Sequence, residues 1–422
     1  MSDDGADGVY LMPRDGFSES LACAEQSFVT DTLADAVSAC SEAFEKWPDI
    51  RHLRAVLLKG LAGAPTGDRR RICDLLLRTE MRDDAQDADI ATALFNERRF
   101  EDALPLLRNV VRRLNGERFS AWNYICSLEQ TGRYDELIDS TDLLDDLAAP
   151  QNGRISLYSQ MANAKLAKAF SREDVVRDMR SLETSPLWLA PHDIAERVKA
   201  VIREGSPFAV TTFGYAEARM ICATSLHASL LLRPAEIVEM ADTVWRQISG
   251  KPFEECAAAT LARLGKACRD VGREPGVLCL PGSGVLTHDN QHFGFFAEQD
   301  REVRTGRYAP FSGLDAMAQL AGADPGLKTL LGGLPFAGVV TDISGLAARI
   351  AGQCDFAAVT EVLLEQGALE ATLKQFDEIW VPYPGAVFLV AATALGPYAC
   401  ARITAAGGIA LDVGTCVPTW DD

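Results

Sequence analysis

"VFLVAATALGPYACARITAAGGIALDV" runs from Val387 to Val413, and before Asp412 it carries a single charged residue, Arg402. Its apolar length invites a membrane interpretation. A spanning helix needs roughly 20 consecutive apolar residues, and this run is interrupted by Thr393, Gly396 and Pro397. It divides instead into three pieces. "VFLVA" is β-branched and aromatic, as suits a strand buried on both faces. "LGPYACARITAAGG" is helix-like, with Leu395, Tyr398 or Ala399, and Ile403 at helical spacing and a stop at Gly407–Gly408. "IALDV" is a second buried strand. Strand, helix, strand at this spacing is a βαβ unit, so the two strands are expected to be parallel.

The same pattern recurs upstream. After Pro207, "FAVTTFG", "GVLCLPG", "FAGVVTD" and "FAAVTEV" alternate with helical stretches at Ala216–Leu232, Pro234–Gln247 and Pro252–Val271. The alternation predicts an open, mostly parallel, Rossmann-like α/β sheet, whose ligands bind beyond the carboxyl ends of the strands. The residues just after each strand are therefore the candidate site. After the first strand come Gly214, Tyr215, Glu217 and Arg219; a carboxylate and a guanidinium at a helix start suit a metal or a phosphate, or Glu217 simply favours the helix dipole. Thr341, Asp342 and Ser344 follow another strand; they suit phosphate oxygens, or Asp342 is a helix N-cap. Thr393–Gly396 and Asp412–Thr415 follow the last two strands, and the second of these turns includes Gly414. An unpaired carboxylate at the end of a buried strand is costly, so Asp412 must be paired, hydrogen-bonded or at work. The Gly-Ser-Gly turn at 282–284 is a weak phosphate signal. His288, Asp289 and His292 hold two of the five histidines; nothing nearby completes a metal set, so they read as a polar surface loop.

From Phe28 to Glu183 the chain reads as helices only. "NERRFEDALPLLRNVVRRL" and "QTGRYDELIDSTDLLDDL" align with Phe100 and Tyr134, 34 residues apart, which is the tetratricopeptide period. "SAWNYICSLEQTGRY" supplies a first helix between them, Phe170 marks a possible further start, and "DTLADAVSACSEAFEKWPD" resembles a second helix ending in Pro. Such helix pairs stack into a solenoid with a concave groove suited to a peptide or protein. The expected organisation is a disordered tail at 1–24, tetratricopeptide-like repeats at 25–185, a linker helix at 186–206 around His192–Arg203, and an α/β domain at 207–422.

Composition sets limits. At 422 residues two to three domains are expected. A hydrophobic content of 48% and a charged content of 24% are those of a soluble globular protein. The net charge of −19 leaves no basic surplus for nucleic acid, and "DRRRIC" at Arg69–Arg71 reads as a solvated helix face. The N-terminus "MSDDGADGVY" has neither the basic nor the apolar region of a secretory signal. Eleven scattered cysteines without a CxxC pair, among them Cys126, Cys222 and Cys268, are those of a cytoplasmic protein with reduced, buried thiols.

The stretch from about Phe208 to Trp420 resembles the GT-D-type glycosyltransferases. "GGIALDVGT" is close to that family's GGIALDIGS tract, and "FGYAEAR" resembles its RxGDGE-like element with an Asp-x-Glu motif. The resemblance covers about half of the chain. It implies transfer of a sugar from a nucleotide sugar, a UDP-sugar, to a protein or glycan acceptor, with Mn²⁺ or Mg²⁺ at the diphosphate. Glu217 matches the motif's Glu and is the implied metal ligand; Asp412 and Gly414 match the tract, with Asp412 and Glu217 as implied catalytic residues. Three positions depart from the family pattern. Tyr215 stands at the motif's Asp, Thr393 at the glycine of a VGAG-like turn, and Pro397 at the lysine of LGK. With Tyr215 in place of a carboxylate, weak or absent metal dependence is expected, with Arg219 offsetting diphosphate charge directly. The alternative is a non-catalytic adaptor that keeps a transferase-like domain beside a protein-binding solenoid. A dinucleotide enzyme is disfavoured by the missing G-x-G-x-x-G after the first strand.

Overall fold

The computed structural model describes residues 54–55, 57–58, 60–61, 64, 66–78, 84–113, 118–140, 157–253, 258–271, 275–304, 310–322, 326–365 and 367–414. The expected tail at 1–24, the helix expected at 31–49 and Thr415 lie outside them. The chain forms two compact units, Met1–Ala149 and Pro150–Asp422.

The first unit is helical, with α1 Thr66–Leu77, α2 Asp84–Asn96, α3 Phe100–Arg113, α4 Arg118–Gln130 and α5 Tyr134–Asp139. Helices α2 and α4 are both 13 residues long, and their boundaries keep the 34-residue offset read from Phe100 and Tyr134. The turns that follow them are also equivalent. Arg98 and Gly132 both take left-handed backbone, at φ 58° and 69°. Arg99 N–H donates to Leu94 O at 2.8 Å and Arg133 N–H to Leu128 O at 2.9 Å, the C-terminal bonds that close such turns. Helix α3 then buries Ala103, Leu104, Leu107, Val110 and Val111 on one stripe. Glu136 of α5 ties the hairpins together by accepting from Tyr124 Oη at 2.7 Å and Arg108 Nε at 2.8 Å. The described residues therefore contain two helix hairpins in one register.

In the second unit, α6 Leu157–Ala169, α7 Arg172–Glu183 and α8 Pro191–Glu204 precede the sheet. Ser171 caps α7 and accepts from Asp174 N–H, so the stretch after Phe170 is a helix, but one that belongs with the sheet. The segment read as a linker is also part of this unit. Leu189 N–H donates to Phe311 O and Phe311 N–H to Leu187 O, both at 2.7 Å. Helix α8 buries Ile194 and Val198 against the sheet, begins on Pro191 and ends on left-handed Gly205.

The sheet has seven parallel strands: β1 Phe208–Thr212, β2 Gly276–Leu280, β3 Phe311–Gly313, β4 Ala337–Thr341, β5 Val359–Leu363, β6 Val387–Ala391 and β7 Ile409–Asp412. Their order is β3-β2-β1-β7-β6-β4-β5. The βαβ unit read at Val387–Val413 is present, with α19 Gly396–Ala405 between β6 and β7 and Val387 paired with Ile409. Strand β3 escapes a sequence reading because it is only three residues long. One face of the sheet is covered by α9 Tyr215–Thr224, α11 Pro234–Ser249, α12 Ala258–Val271, α18 Leu369–Asp377 and α19. The other is covered by α8, α15 Ala316–Gly322, α16 Leu327–Leu331 and α17 Leu346–Cys354. Cover on both faces explains why the central strands read as unbroken apolar runs. None of the described helices is long and apolar enough to cross a membrane.

Two substitutions test the helical register. Arg98→Gly should raise thermal stability by about 0.5–1 kcal/mol, because glycine relieves a left-handed backbone, whereas Gly132→Ala should lower it. Ala103 is fully buried, and Ala103→Trp should cost about 1–3 kcal/mol by overpacking. Unchanged melting in all three variants would contradict the shared register.

Candidate functional site

All seven strands are parallel, so their carboxyl ends lie together. The connection leaving β4 enters the face of α17, whereas that leaving β6 enters the face of α19. Adjacent strands whose connections part to opposite faces open a crevice between them. By that rule the crevice falls between β4 and β6, with β7 next to β6 and β1 one strand further.

Asp412 ends β7 and is 5% exposed. Its Oδ2 accepts from Thr212 N–H at the end of β1, at 3.1 Å, and its Oδ1 from Gly414 N–H at 3.2 Å. Burial pushes its acid up to about 7, and the two N–H groups only partly oppose that shift. Glu217, 7% exposed, lies in the first turn of α9. Its Oε2 accepts from Gly214 N–H at 2.9 Å, so it does cap the helix start. Burial first, and the charge of Asp412 second, push its acid up to about 8. The structure thus brings together two carboxyls that stand 195 positions apart in the chain, and the pair holds a proton near neutral pH.

The β6–α19 turn frames this pair. A Cβ on Gly396 would lie 2.9 Å from Asp412 Oδ2, so only glycine fits there. Thr393 is exposed and adopts φ 44°. A β-branched residue in the left-handed region is strained, and strain of this kind concentrates at functional sites. Gly414 is also left-handed, at φ 51°.

The other candidates are placed differently. Thr341 is fully buried, and its Oγ1 accepts from Ile343 N–H at 3.0 Å. Asp342 and Ser344 are exposed on the loop after β4. Asp342 is not a helix cap, because α17 begins after Gly345. Glu361 of β5 reaches that helix start instead, with Oε1 accepting from Ala347 N–H at 3.1 Å. Nothing local in the sequence signals that contact. The Gly-Ser-Gly turn likewise already meets an anion, since Glu183 accepts from Ser283 N–H at 2.7 Å and from its hydroxyl.

Arg219 corrects an expectation. Its guanidinium is turned into the interior, 2% exposed, donating to Met240 O at 3.0 Å and to Ser159 Oγ. It lies one helical turn below Tyr215, under whose ring it stacks at 4.3 Å, so it does not meet a diphosphate at the strand ends. Tyr215 also carries the ring of His292 edge-on, at 4.0 Å. His292 Nδ1 is 3.0 Å from Asp289 Oδ2, and Asp289 Oδ1 also accepts from His292 N–H at 2.9 Å. Burial works against the Asp289 carboxylate, but these bonds from His292 outweigh it and hold its acid below the usual range. His288 is exposed and takes no part. Among the described residues no group of three or more His, Cys, Asp or Glu side chains gathers as a metal set.

In the first unit, a groove of about 510 Å³ is lined by Leu58, Leu61, Arg69, Asp89, Asn96 and Glu97, among others. Arg69 and Glu97 pair across it at 3.1 Å. Comparisons of the chain with protein-family models, with curated proteins and with solved structures find no match.

The buried pair predicts how stability depends on pH. Both folded-state acids are raised above their unfolded values. Their contribution is therefore complete below pH 4 and is lost as pH rises through about 7 and 8. Chemical denaturation should show stability falling by on the order of a few kcal/mol between pH 5 and 9. Glu217→Gln should flatten that slope. A slope unchanged by Glu217→Gln would mean the carboxyl is not held protonated.

Proposed function

We propose that the second unit is a glycosyltransferase that moves a sugar from a nucleotide sugar, a UDP-sugar, to a protein or glycan acceptor, and that the helix hairpins of the first unit bind acceptor or partner. The observation that carries this reading is the pair Glu217–Asp412, two nearly sealed carboxyls with near-neutral proton affinity at the carboxyl ends of adjacent strands. Groups perturbed in this way concentrate at functional clefts. The turn geometry supports it as well. Thr393 has left-handed backbone where the resembled family has glycine, and Gly396 gives Asp412 the room its carboxylate needs.

In this reading the nucleotide sugar lies over the crevice, with its diphosphate near the turns after β4 and β6. Backbone N–H groups there, together with the hydroxyls of Thr393 and Ser344, meet the charge that develops on the leaving diphosphate. A divalent ion would have to displace the proton of Glu217, the one carboxylate in the matched motif, which fits weak metal dependence. Asp412 orients the turn that faces the sugar, and Glu217 holds the proton that keeps this buried pair from carrying two charges.

A second reading is favoured by one observation: Arg219 is spent on Met240 and Ser159. On that reading the domain is an adaptor, and Asp412 and Glu217 only lock the strand ends.

The two readings predict different behaviour. Purified chain incubated with a panel of labelled nucleotide sugars should bind and slowly hydrolyse at least one UDP-sugar. Asp412→Asn should cut turnover about 10²-fold or more while remaining folded. Calorimetry with EDTA and then with Mn²⁺ should change donor affinity by less than about threefold. Absence of binding to every donor, or full turnover in Asp412→Asn, would favour the adaptor.

A further inference from the structure

We propose that His292, oriented by Asp289, is the base that takes the proton of the acceptor hydroxyl; this inference rests on the transferase reading above. The Glu217–Asp412 pair is poorly suited to that step. Both carboxyls are more than nine-tenths buried, and both already accept backbone N–H groups. A base for an incoming hydroxyl needs an accessible lone pair.

His292 has one. Its side chain is 26% exposed and that of Asp289 25%. Asp289 is an acceptor only, so a nitrogen 3.0 Å from its carboxylate must carry the proton. In the neutral ring that fixes Nδ1–H and leaves the lone pair on Nε2, which has no hydrogen bond to another described residue. A helix-start cap needs only the bond from His292 N–H to Asp289 Oδ1, so the added contact to the ring is more than capping requires. The ring stands on Tyr215, the residue that opens α9 immediately beyond β1 and two positions before Glu217. Among the described residues, the charged and titratable groups in contact with the ring or with its Tyr215 support are Asp289, Tyr215 and, stacked on the Tyr215 ring, Arg219.

The loop that carries the dyad is braced from two helices. Asn163 of α6 donates to Asn290 O at 2.9 Å and accepts from Gly294 N–H at 2.9 Å. Arg172 of α7 bonds Asn290 Oδ1 and stacks on Phe293 at 4.3 Å. A base held by packed elements is preorganised for its reaction.

The step balances simply. The acceptor oxygen forms a bond to the anomeric carbon of the sugar as the bond from that carbon to the diphosphate oxygen breaks. The electron pair leaves with the nucleoside diphosphate. The acceptor proton passes to Nε2 of neutral His292, and the imidazolium then returns it to water.

Two measurements test the proposal. The chain has five histidines, so ¹⁵N spectra of the labelled protein can assign the His292 tautomer. Nδ1–H is expected at pH 8, and its loss is expected in Asp289→Asn. With the donor that wild type turns over, His292→Gln should lower kcat about 10²-fold or more and leave donor KM within about threefold. Asp289→Asn removes the carboxylate that orients the ring, so it should lower kcat while leaving donor KM within about threefold. A His292→Gln enzyme with wild-type kcat, or a wild-type Nε2–H tautomer, overturns the role of His292 while leaving the transferase intact. A wild type inert toward every donor removes the transferase reading and this base together.

Discussion

The sheet depends on the pairing of its first strand with its last. Strand β7 lies between β1 and β6, with three strands on either side. Without it, β3-β2-β1 and β6-β4-β5 would be separate half-sheets. The apolar layers on both faces cross the same seam. One joins Ala209, Val390 and Ala410; the other joins Phe208, Val387, Ile409 and Leu411. A sheet completed by its last strand forms many contacts between distant parts of the chain, which is a slow folding step.

The polar site follows from where that seam ends. At the end of β1 the Thr212 N–H needs an acceptor, and the Asp412 carboxylate supplies it. The helix that leaves β1 packs close behind and brings Glu217 to its own first turn. Two carboxyls are then buried in one part of the fold. Among the described residues neither has an ion-pair partner, and the nearest guanidinium in sequence, Arg219, is committed elsewhere. Burial raises both acids toward neutral pH, which favours a retained proton on the pair.

Other buried carboxylates in this unit are treated differently. Glu236 receives Lys165 at 2.7 Å and Arg233 at 2.8 Å. Glu298 receives Ser225, His227 and Arg301, whose bonds overcome its burial and hold its acid low. Both are fully buried and both are paired, as structural charges must be. The contrast singles out Glu217 and Asp412. Asp289 is paired as well, but its partner His292 stays about a quarter exposed.

The sequence by itself determined the local elements. Alternating apolar runs marked β1, β2, β4, β5, β6 and β7. The 34-residue spacing of Phe100 and Tyr134 recurs in the left-handed turns at Arg98 and Gly132. Asp412 was legible as a carboxylate in need of a partner, because its burial followed from the run before it. Strand β3 was too short to register, and the segment at 186–206 looked like a linker because its pairing with β3 and its packing on the sheet are remote in sequence. Only the tertiary structure decided which side chains meet. It placed Glu217 beside Asp412, turned Arg219 inward, put Glu361 rather than Asp342 at the start of α17, and stood His292 on Tyr215. Periodicity reports which face of an element is buried. The partner across that buried face depends on strand order and helix packing, which no local pattern encodes.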